Sequence, residues 1–260
     1  MSRQFFPCLG ILEVSNSDEL KTYLVEQGSH TPEENLRIYE KWFANAPRYL
    51  FRAVDRKYGL RQKILCDAGC AYGMNLVVCK PGSYGIEVQK DPVEFALSLG
   101  LRVYRRDVLR DELSDLPQAE AVWASAILEH VDSPHIFLRK LHGLLVDGGL
   151  LAVYAPTIPI LPVLRYLPWC GRFFRGHLAA DHVNFLTPVT LRLTCERAGF
   201  ETIEVSPFYP SALGIFNRVP GLRSLVDGCV YVGHKIPDWK YPQKATRQIA
   251  KNKHGFVRKQ

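Results

Sequence analysis

The sequence predicts an α/β fold in which a mostly parallel sheet of seven strands carries helices on both faces. From residue 61 onward, short β-rich runs alternate with segments of helical periodicity, the pattern of strands joined by crossover helices. The chain of 260 residues is long enough for one sizeable core, and 47% hydrophobic with 23% charged residues is ordinary globular usage. We therefore expect one packed domain rather than a disordered or fibrous chain.

The predicted strands occupy residues 63–66, 83–88, 101–105, 119–124, 150–154, 200–205 and 229–232. Residues 134–146 separate the fourth strand from the fifth and have apolar side chains at helical intervals, so they predict a crossover helix. Gly148-Gly149 is expected to end that helix with a left-handed residue. Thr187-Pro188 is a typical helix start and Gly199 a typical helix end, which predicts another helix before the sixth strand.

Residues 1–60 are predicted to form a helical flank beside the main domain, which spans residues 61–234. Residues 18–27 of the flank are one candidate helix, and Thr31-Pro32-Glu33-Glu34 has the cap, the proline and the acids of a helix start. No internal repeat is evident. We expect the flank to pack against the domain and to cover part of its surface.

A basic extension, residues 235–260, carries much of the formal net charge of +7 and contains a single acid, Asp238. Such an extension is usually a solvated tail, and binding of nucleic acid or acidic lipid is the sharper alternative. Nucleic acid is the less favoured partner on this reasoning. Peripheral membrane contact and the oligomeric state are left open by the sequence.

The seven cysteines are odd in number and scattered, and none forms the C-x-x-C pair that could hold zinc. They predict reduced thiols in a cytoplasmic protein. Residues 5–14 are mildly apolar but are interrupted by Pro7 and Glu13, so we infer no export signal. The longest apolar stretch, residues 158–170, contains three prolines and one arginine and is too short to cross a bilayer.

The strongest motif is D-A-G-C-A-Y-G at residues 67–73, between the first predicted strand and a short helical run. Small residues let the backbone approach a ligand closely where a strand turns into a helix. A dinucleotide enzyme would place G-x-G-x-x-G here to receive a pyrophosphate, whereas this motif begins with the carboxylate of Asp67. A carboxylate repels pyrophosphate and favours a cationic ligand.

Two more acids follow the next two predicted strands. Glu87 ends the second strand about twenty residues after the motif, the spacing at which α/β nucleotide folds present a carboxylate to ribose hydroxyls. Asp107 comes just after the third strand and is placed to reach an adenine amine, with Val88 and Val108 as apolar walls. The sequence therefore predicts a nucleoside site across three strand ends.

This arrangement resembles the nucleotide-binding half of class I methyltransferases, and in particular small-molecule O-methyltransferases of the quinone-biosynthesis type. The resemblance covers residues 63–205 and includes an L-E-H-V segment at 128–131 and a D-H-x-N-F segment at 181–185. The glycine motif of the family is D-x-G-x-G-x-G, and Ala71 replaces its middle glycine. The resemblance implies a Rossmann-like sheet of order 3-2-1-4-5-7-6.

The same resemblance implies S-adenosyl-L-methionine as cofactor, with S-adenosyl-L-homocysteine released as product. No metal is expected, because methyl transfer is an in-line displacement that depends mainly on alignment. The residues that the resemblance assigns to cofactor binding are Asp67, Gly69, Cys70, Ala71, Gly73, Glu87, Val88, Asp107, Val108 and Ser125.

If the acceptor is a hydroxyl, a base must remove its proton, and a neutral imidazole suits that task near pH 7. His130 and His182 are the candidates. For His130, fixing a turn beside Glu129 is an equally good interpretation, and for His182 an orienting role is favoured. The (N/D)-P-P-(Y/F) tetrapeptide of many amino-directed methyltransferases is absent at residues 125–128, so oxygen is the better prediction.

Residues 157–180 form an insertion after the fifth predicted strand that is rich in aromatic residues, proline and arginine. One hypothesis makes it a cap over the acceptor site, with Arg172 and Arg175 attracting an acidic substrate. A packing hairpin with solvated arginines is the alternative. The predicted partner is a small-molecule, lipid-like or glycan acceptor.

Three other functions compete with this prediction. An NAD(P)-dependent oxidoreductase would share the sheet, although Asp67 argues against it. A nucleic-acid methyltransferase or binding protein would explain the basic extension. A catalytically silent cofactor-binding protein would use the same nucleoside site without the base.

Overall fold

The computed structural model describes residues 49–157, 182–207 and 228–240. The candidate helices at 18–27 and 31–34, nearly all of the predicted cap and most of the basic extension lie outside the described residues. Over these three ranges, no helix is both long enough and apolar enough to cross a membrane.

The described strands form one seven-stranded sheet of order β3-β2-β1-β4-β5-β7-β6, which confirms the predicted order. Neighbours from β3 to β5 pair in parallel, and β7 runs antiparallel to both β5 and β6. The strands are β1 (Leu65–Ala68), β2 (Tyr84–Glu87), β3 (Val103–Arg105), β4 (Ala119–Ser125), β5 (Leu145–Pro156), β6 (Phe200–Pro207) and β7 (Gly228–Lys235).

Four α-helices flank this sheet in the described ranges: α1 (Tyr49–Tyr58), α2 (Lys90–Ser98), α3 (Pro134–Leu144) and α4 (Pro188–Arg197). Successive side chains of β4 enter cores on opposite faces. Val122 and Ala124 pack with residues of α3 and α4, whereas Trp123 packs with residues of α1. Because parallel strands are buried on both faces, β4 is an almost continuous apolar run rather than an alternating one.

The helix α1 is the described part of the predicted flank, and it packs directly on the sheet. Phe51 meets Trp123 edge to face, with 5.6 Å between ring centroids. Lys57 and Tyr58 both donate to the carboxylate of Glu204 on β6. These contacts attach the helix to the central strand β4 and to the edge strand β6 of the sheet.

Both predicted helix starts are confirmed by their caps. At α3, the Ser133 side chain accepts a hydrogen bond from the backbone N–H of Ile136. At α4, the side chain of Thr187 accepts the backbone N–H of Thr190, and the side chain of Thr190 accepts the backbone N–H of Thr187. The two bonds form a capping box that encloses Pro188. Each cap satisfies donors that the first helical turn leaves without a partner.

The predicted end of α3 is wrong. The helix stops at Leu144 with Leu145 as its C-cap, and the chain enters β5 at once, so Gly148 lies three residues beyond the C-cap. Gly148 is left-handed, with φ of 72°, but it belongs to an irregularity where the β4–β5 pairing jumps from Leu145 to Leu150. The glycines allow this bulge in the strand.

Gly85 on β2 determines how closely the loop after β1 can approach the sheet. A Cβ atom at this position would collide with Sγ of Cys70 and lie 2.9 Å from its Cβ and 3.0 Å from Cδ1 of Leu76. The short helical run predicted after the motif is a single 3₁₀ turn, Leu76–Val78, which packs over the same glycine. Cys70 and Leu76 are both buried.

We expect Gly85→Ala to lower the free energy of unfolding by about 1–3 kcal/mol, because overpacking a dense core forces its neighbours to shift. Gly143→Ala is the matched control: its Cβ would meet nothing within 4 Å. It should raise stability by up to about 1 kcal/mol, since alanine is the better residue in a helix. Urea unfolding followed by circular dichroism measures both. A Gly85→Ala variant as stable as the wild type would contradict the close packing.

Candidate active site

The three predicted acids lie at one edge of the sheet, at the ends of three adjacent strands. Asp67 is on β1, Glu87 is the last residue of β2, and Asp107 comes two residues after β3. Parallel pairing sets Asp67 against Gly85 and Glu87 against Arg105. The carboxyl ends of parallel strands therefore bring these side chains to the same side, where open α/β sheets bind ligands.

The loop at residues 67–73 has three residues in the left-handed region. Gly69, Ala71 and Gly73 have φ of 73°, 48° and 80°. Ala71 thus adopts the conformation for which the family motif uses glycine, at a cost of about 1–2 kcal/mol for an L-residue.

Glu87 holds this loop against the end of β2. Its Oε2 accepts the backbone N–H of Ala71 at 2.9 Å, and its Oε1 accepts those of Val88 at 2.8 Å and Gln89 at 3.0 Å. The residue is only 9% exposed. Its carboxylate is therefore fixed in position by backbone donors from both sides.

Asp67 is buried beneath the loop, where it accepts a hydrogen bond from Nδ2 of Asn75 at 3.3 Å. The backbone carbonyl of Asn75 in turn accepts from Sγ of Cys79 at 3.1 Å. In the described part of the chain, Oδ1 of Asn75 is a buried acceptor with no hydrogen-bond partner. The pair offers acceptor oxygens, which suit a cationic group.

A cavity of about 360 Å³ opens beside these strand ends. Six of the predicted site residues line it, namely Gly69, Glu87, Val88, Asp107, Val108 and His130. Six do not, namely Asp67, Cys70, Ala71, Gly73, Ser125 and His182. The nucleoside half of the prediction thus coincides with a cavity, while Asp67 lies below it and His182 beside it.

Several other cavity residues were not predicted from the sequence. Ile127 packs close to Gly69, so that a Cβ there would lie 2.6 Å from its Cδ1, and the left-handed φ of Gly69 is the stronger reason for glycine. Arg110 lies 3.5 Å from the carboxylate of Asp107, and Arg106 lies 3.4 Å from Asp115. Sequence proximity to Asp107 is the one signal that points to these arginines.

The loop conformations of Asp107 and Ala126 complete the rim of the site. Oδ1 of Asp107 accepts the backbone N–H of Leu109 at 2.9 Å, which orients the carboxylate at the cavity wall. After Ser125 ends β4, Ala126 turns with a left-handed φ of 52°. The turn directs residues 127–131 along the other side of the cavity.

The two predicted histidines meet at this turn. Their rings pack edge to face with 4.8 Å between centroids, and Nε2 of His130 lies 3.8 Å from Oε1 of Glu129. Glu129 is buried, His130 is exposed to solvent, and His182 is half-buried. One ligand atom from each of these three side chains lies within 4.8 Å of the others.

Asn184 joins the two histidine segments and was not assigned this role from the sequence. Its Nδ2 donates to the carbonyls of Leu128 and Val131. The backbone N–H groups of Val183 and Asn184 both donate to the carbonyl of Glu129, at 2.8 and 3.1 Å. These four bonds place the D-H-x-N-F segment on the L-E-H-V segment.

The cysteines near the site are buried and free of disulfides. Burial raises the pKa of the Cys66 and Cys70 thiols well above the usual value, and it raises the pKa of Cys229 to about 12. A thiol must ionise to act as a nucleophile. These residues therefore act as small apolar side chains.

The residues of the cavity fit a nucleoside with a cationic side chain. Glu87 and Asp107 are carboxylates at its wall, and Val88 and Val108 are apolar surfaces between them. The buried acceptors Asp67 and Asn75 lie beneath the adjoining loop. Glu87 suits the ribose hydroxyls, and Asp107 with the two valines suits adenine. The acceptors Asp67 and Asn75 suit the sulfonium-bearing amino acid.

Solved structures from several sources share the fold. A methyltransferase from Archaeoglobus fulgidus, described as dependent on S-adenosylmethionine, has 18% identity and a TM-score of 0.54, over 77% of this chain and 99% of that one. A chain from the complex of the Haloferax volcanii Trm112 methyltransferase activator with a methyltransferase has 14% identity and a TM-score of 0.58, over 86% and 99%. The [4+2]-cyclase SpnF has 18% identity and a TM-score of 0.53, over 72% and 80%.

The family assignment depends on sequence rather than on these distant structures, whose identities show the fold alone. None of the curated proteins compared with the chain matches it. Residues 38–205, more than half of the chain, match the family described as a methyltransferase domain. The chain belongs to this methyltransferase family, and its cofactor is S-adenosylmethionine.

Proposed function

We propose that the protein transfers the methyl group of S-adenosylmethionine to a hydroxyl oxygen of a small, lipid-like or glycan acceptor. The observation that carries the proposal is the position of His130, which lines the nucleoside cavity and contacts His182 beside it. The imidazole pair lies where an acceptor could approach a methyl donor held along the strand ends.

The bound cofactor supplies an electrophilic methyl group, whose bond to sulfur breaks as the acceptor oxygen bonds to the methyl carbon. The chain must align the acceptor and remove its proton. One imidazole can take that proton near pH 7, and Glu129 is close enough to stabilise the imidazolium that results. Glu129 is a positioning residue on this proposal.

Oxygen is favoured over nitrogen by the residues after β4. Amino-directed enzymes commonly use (N/D)-P-P-(Y/F) at this point, and here residues 125–128 are S-A-I-L. The turn instead places the base His130 at the cavity wall, with the buried carboxylate of Glu129 3.8 Å from its Nε2. Proton removal is the step that a hydroxyl acceptor requires and that this pair can supply.

Two alternatives have some support. The basic extension favours a nucleic-acid acceptor, because clustered Lys and Arg bind phosphates. The likeness to the cyclase SpnF favours a reaction other than methyl transfer, because one fold can host unrelated chemistry. Truncation after Lys235 tests the first alternative, and release of S-adenosylhomocysteine from S-adenosylmethionine tests the second.

Calorimetric titration with S-adenosylhomocysteine tests the cofactor site. We expect binding by the wild type and at least tenfold weaker binding by Asp67→Asn and Asp67→Ala, because hydrogen bonds to a charged group contribute about 1.5–3 kcal/mol. NADPH should not bind. Glu94→Gln, on the outer surface of α2, is the matched control and should bind as the wild type does.

Binding of NADPH, or equal affinity in all four proteins, would contradict the assignment of this loop. The asparagine variant keeps the volume of the buried side chain. A loss of binding seen in the alanine variant alone would therefore indicate a packing effect rather than the loss of an acceptor.

Replacement of each histidine tests the proposed base. With S-adenosylmethionine and a panel of catechols, phenols and sugars, we expect His130→Ala or His182→Ala to lower kcat by about 10²–10⁴, the usual contribution of general-base catalysis. S-adenosylhomocysteine affinity should stay within threefold of the wild type. His234→Ala, a surface imidazole bonded to the carbonyl of Gly148, is the control.

The pH profile separates a base from a purely structural residue. Loss of the acidic limb of the profile in one histidine variant would identify the residue that takes the proton. Undiminished turnover in both variants would contradict base catalysis by this pair.

A further inference from the structure

We propose that Glu129, His130 and His182 form a binding site for a divalent transition-metal cation. Two imidazoles and one carboxylate are the donors that Zn²⁺, Fe²⁺ and Co²⁺ accept, whereas Mg²⁺ and Ca²⁺ prefer oxygen alone. The three side chains offer one ligand atom each within 4.8 Å of one another. A metal at this position was not expected from the sequence.

The distances are close to those of a metal centre. Ligand atoms about 2.1 Å from a tetrahedral cation lie about 3.4 Å apart. Nε2 of His130 is already 3.8 Å from Oε1 of Glu129. The widest separation must contract by about 1.4 Å, and we expect rotation of the two partly exposed imidazoles to supply this change.

The backbone that carries the three ligands is already held in place. The carbonyl of Glu129 accepts two N–H groups from the residues that follow His182, and the Asn184 side chain spans Leu128 and Val131. The ligands thus come from two segments about fifty residues apart in sequence that are bonded to each other without a cation. Such preorganisation lowers the cost of binding.

The exposure of the ligands indicates an open site rather than a closed structural one. Glu129 is 2% exposed, while the side chain of His130 is 37% exposed and lines the nucleoside cavity. The three ligands that the described ranges supply leave at least one coordination position for a substrate atom, the arrangement of catalytic metal centres. That position would adjoin the cavity at His130.

A cation here would change how the acceptor hydroxyl is activated, and this consequence rests on the proposed function. Coordination lowers the pKa of a bound hydroxyl, so its O–H bond breaks with the electron pair left on oxygen and the proton released to solvent. The imidazoles then serve as ligands rather than as bases. Acceptors with two neighbouring hydroxyls would be favoured, because both oxygens can coordinate the cation.

Titration of the full-length protein with Co²⁺, without cofactor, tests the site. We expect about one equivalent to bind, with visible absorption bands of nitrogen and oxygen ligation, and at least tenfold weaker binding by His182→Ala and Glu129→Gln. His234→Ala is the matched control and should bind as the wild type does. Co²⁺ should also raise the Tm of the wild type but not of the ligand variants, which shows in the same experiment that the variants fold.

Three results would overturn the proposal. They are the absence of stoichiometric binding, binding that survives both ligand variants, and a sulfur-to-cobalt band showing that a cysteine holds the ion. Titration with S-adenosylhomocysteine keeps the two proposals distinct. Cofactor binding without Co²⁺ binding would remove the cation site alone, and Co²⁺ binding without cofactor binding would remove the methyl-transfer proposal alone.

Discussion

Parallel pairing of β3, β2, β1 and β4 is the constraint on which the site depends, because it brings the carboxyl ends of four strands to one edge. A single antiparallel strand among them would send one acid to the opposite edge. Burial of the strands on both faces enforces the pairing, since their apolar side chains have no solvated face to turn towards. The buried strands thus stabilise the fold, and the polar residues at their ends are available to bind a ligand.

The loop after β1 shows how local chemistry follows from this constraint. The side chains of Cys70 and Leu76 lie so close to β2 that only glycine fits at residue 85, and the Ala71 N–H reaches the carboxylate of Glu87. Gly69 is needed for a different reason, because its φ of 73° is strained for a residue with a side chain. Close packing against β2 and the left-handed backbone of the loop therefore restrict the residues in and beside this motif.

Much of the fold and half of the site could be predicted from the sequence, since both depend on local patterns. Strand order, the starts of α3 and α4, and the positions of Asp67, Glu87 and Asp107 follow from periodicity, caps and the family motif. The end of α3 was missed because Gly148 has the same left-handed conformation in a bulge as in a cap. Local sequence does not distinguish the two.

The links across the site could not be predicted because they join residues far apart in the chain. Asn184 reaches carbonyls more than fifty residues earlier, and no local pattern specifies where its amide will point. The proximity of Glu129 to both histidines has the same origin. Such contacts appear only when the turn after β4 and the segment before α4 are placed in space together.

The three backbone bonds of Glu87 imply competition if a nucleoside binds this residue through its ribose, as the sequence predicts. A carboxylate has about four lone-pair positions, and Ala71, Val88 and Gln89 already use three of them. A ribose diol that donates both hydroxyls needs two, so one backbone donor must give way. Of the three bonds, only the one from Ala71 joins Glu87 to the loop after β1. Breaking it would allow the backbone of Ala71 to leave its left-handed conformation. The affinity for the nucleoside and the conformation of the loop are thus coupled through a shortage of acceptor positions on a single side chain.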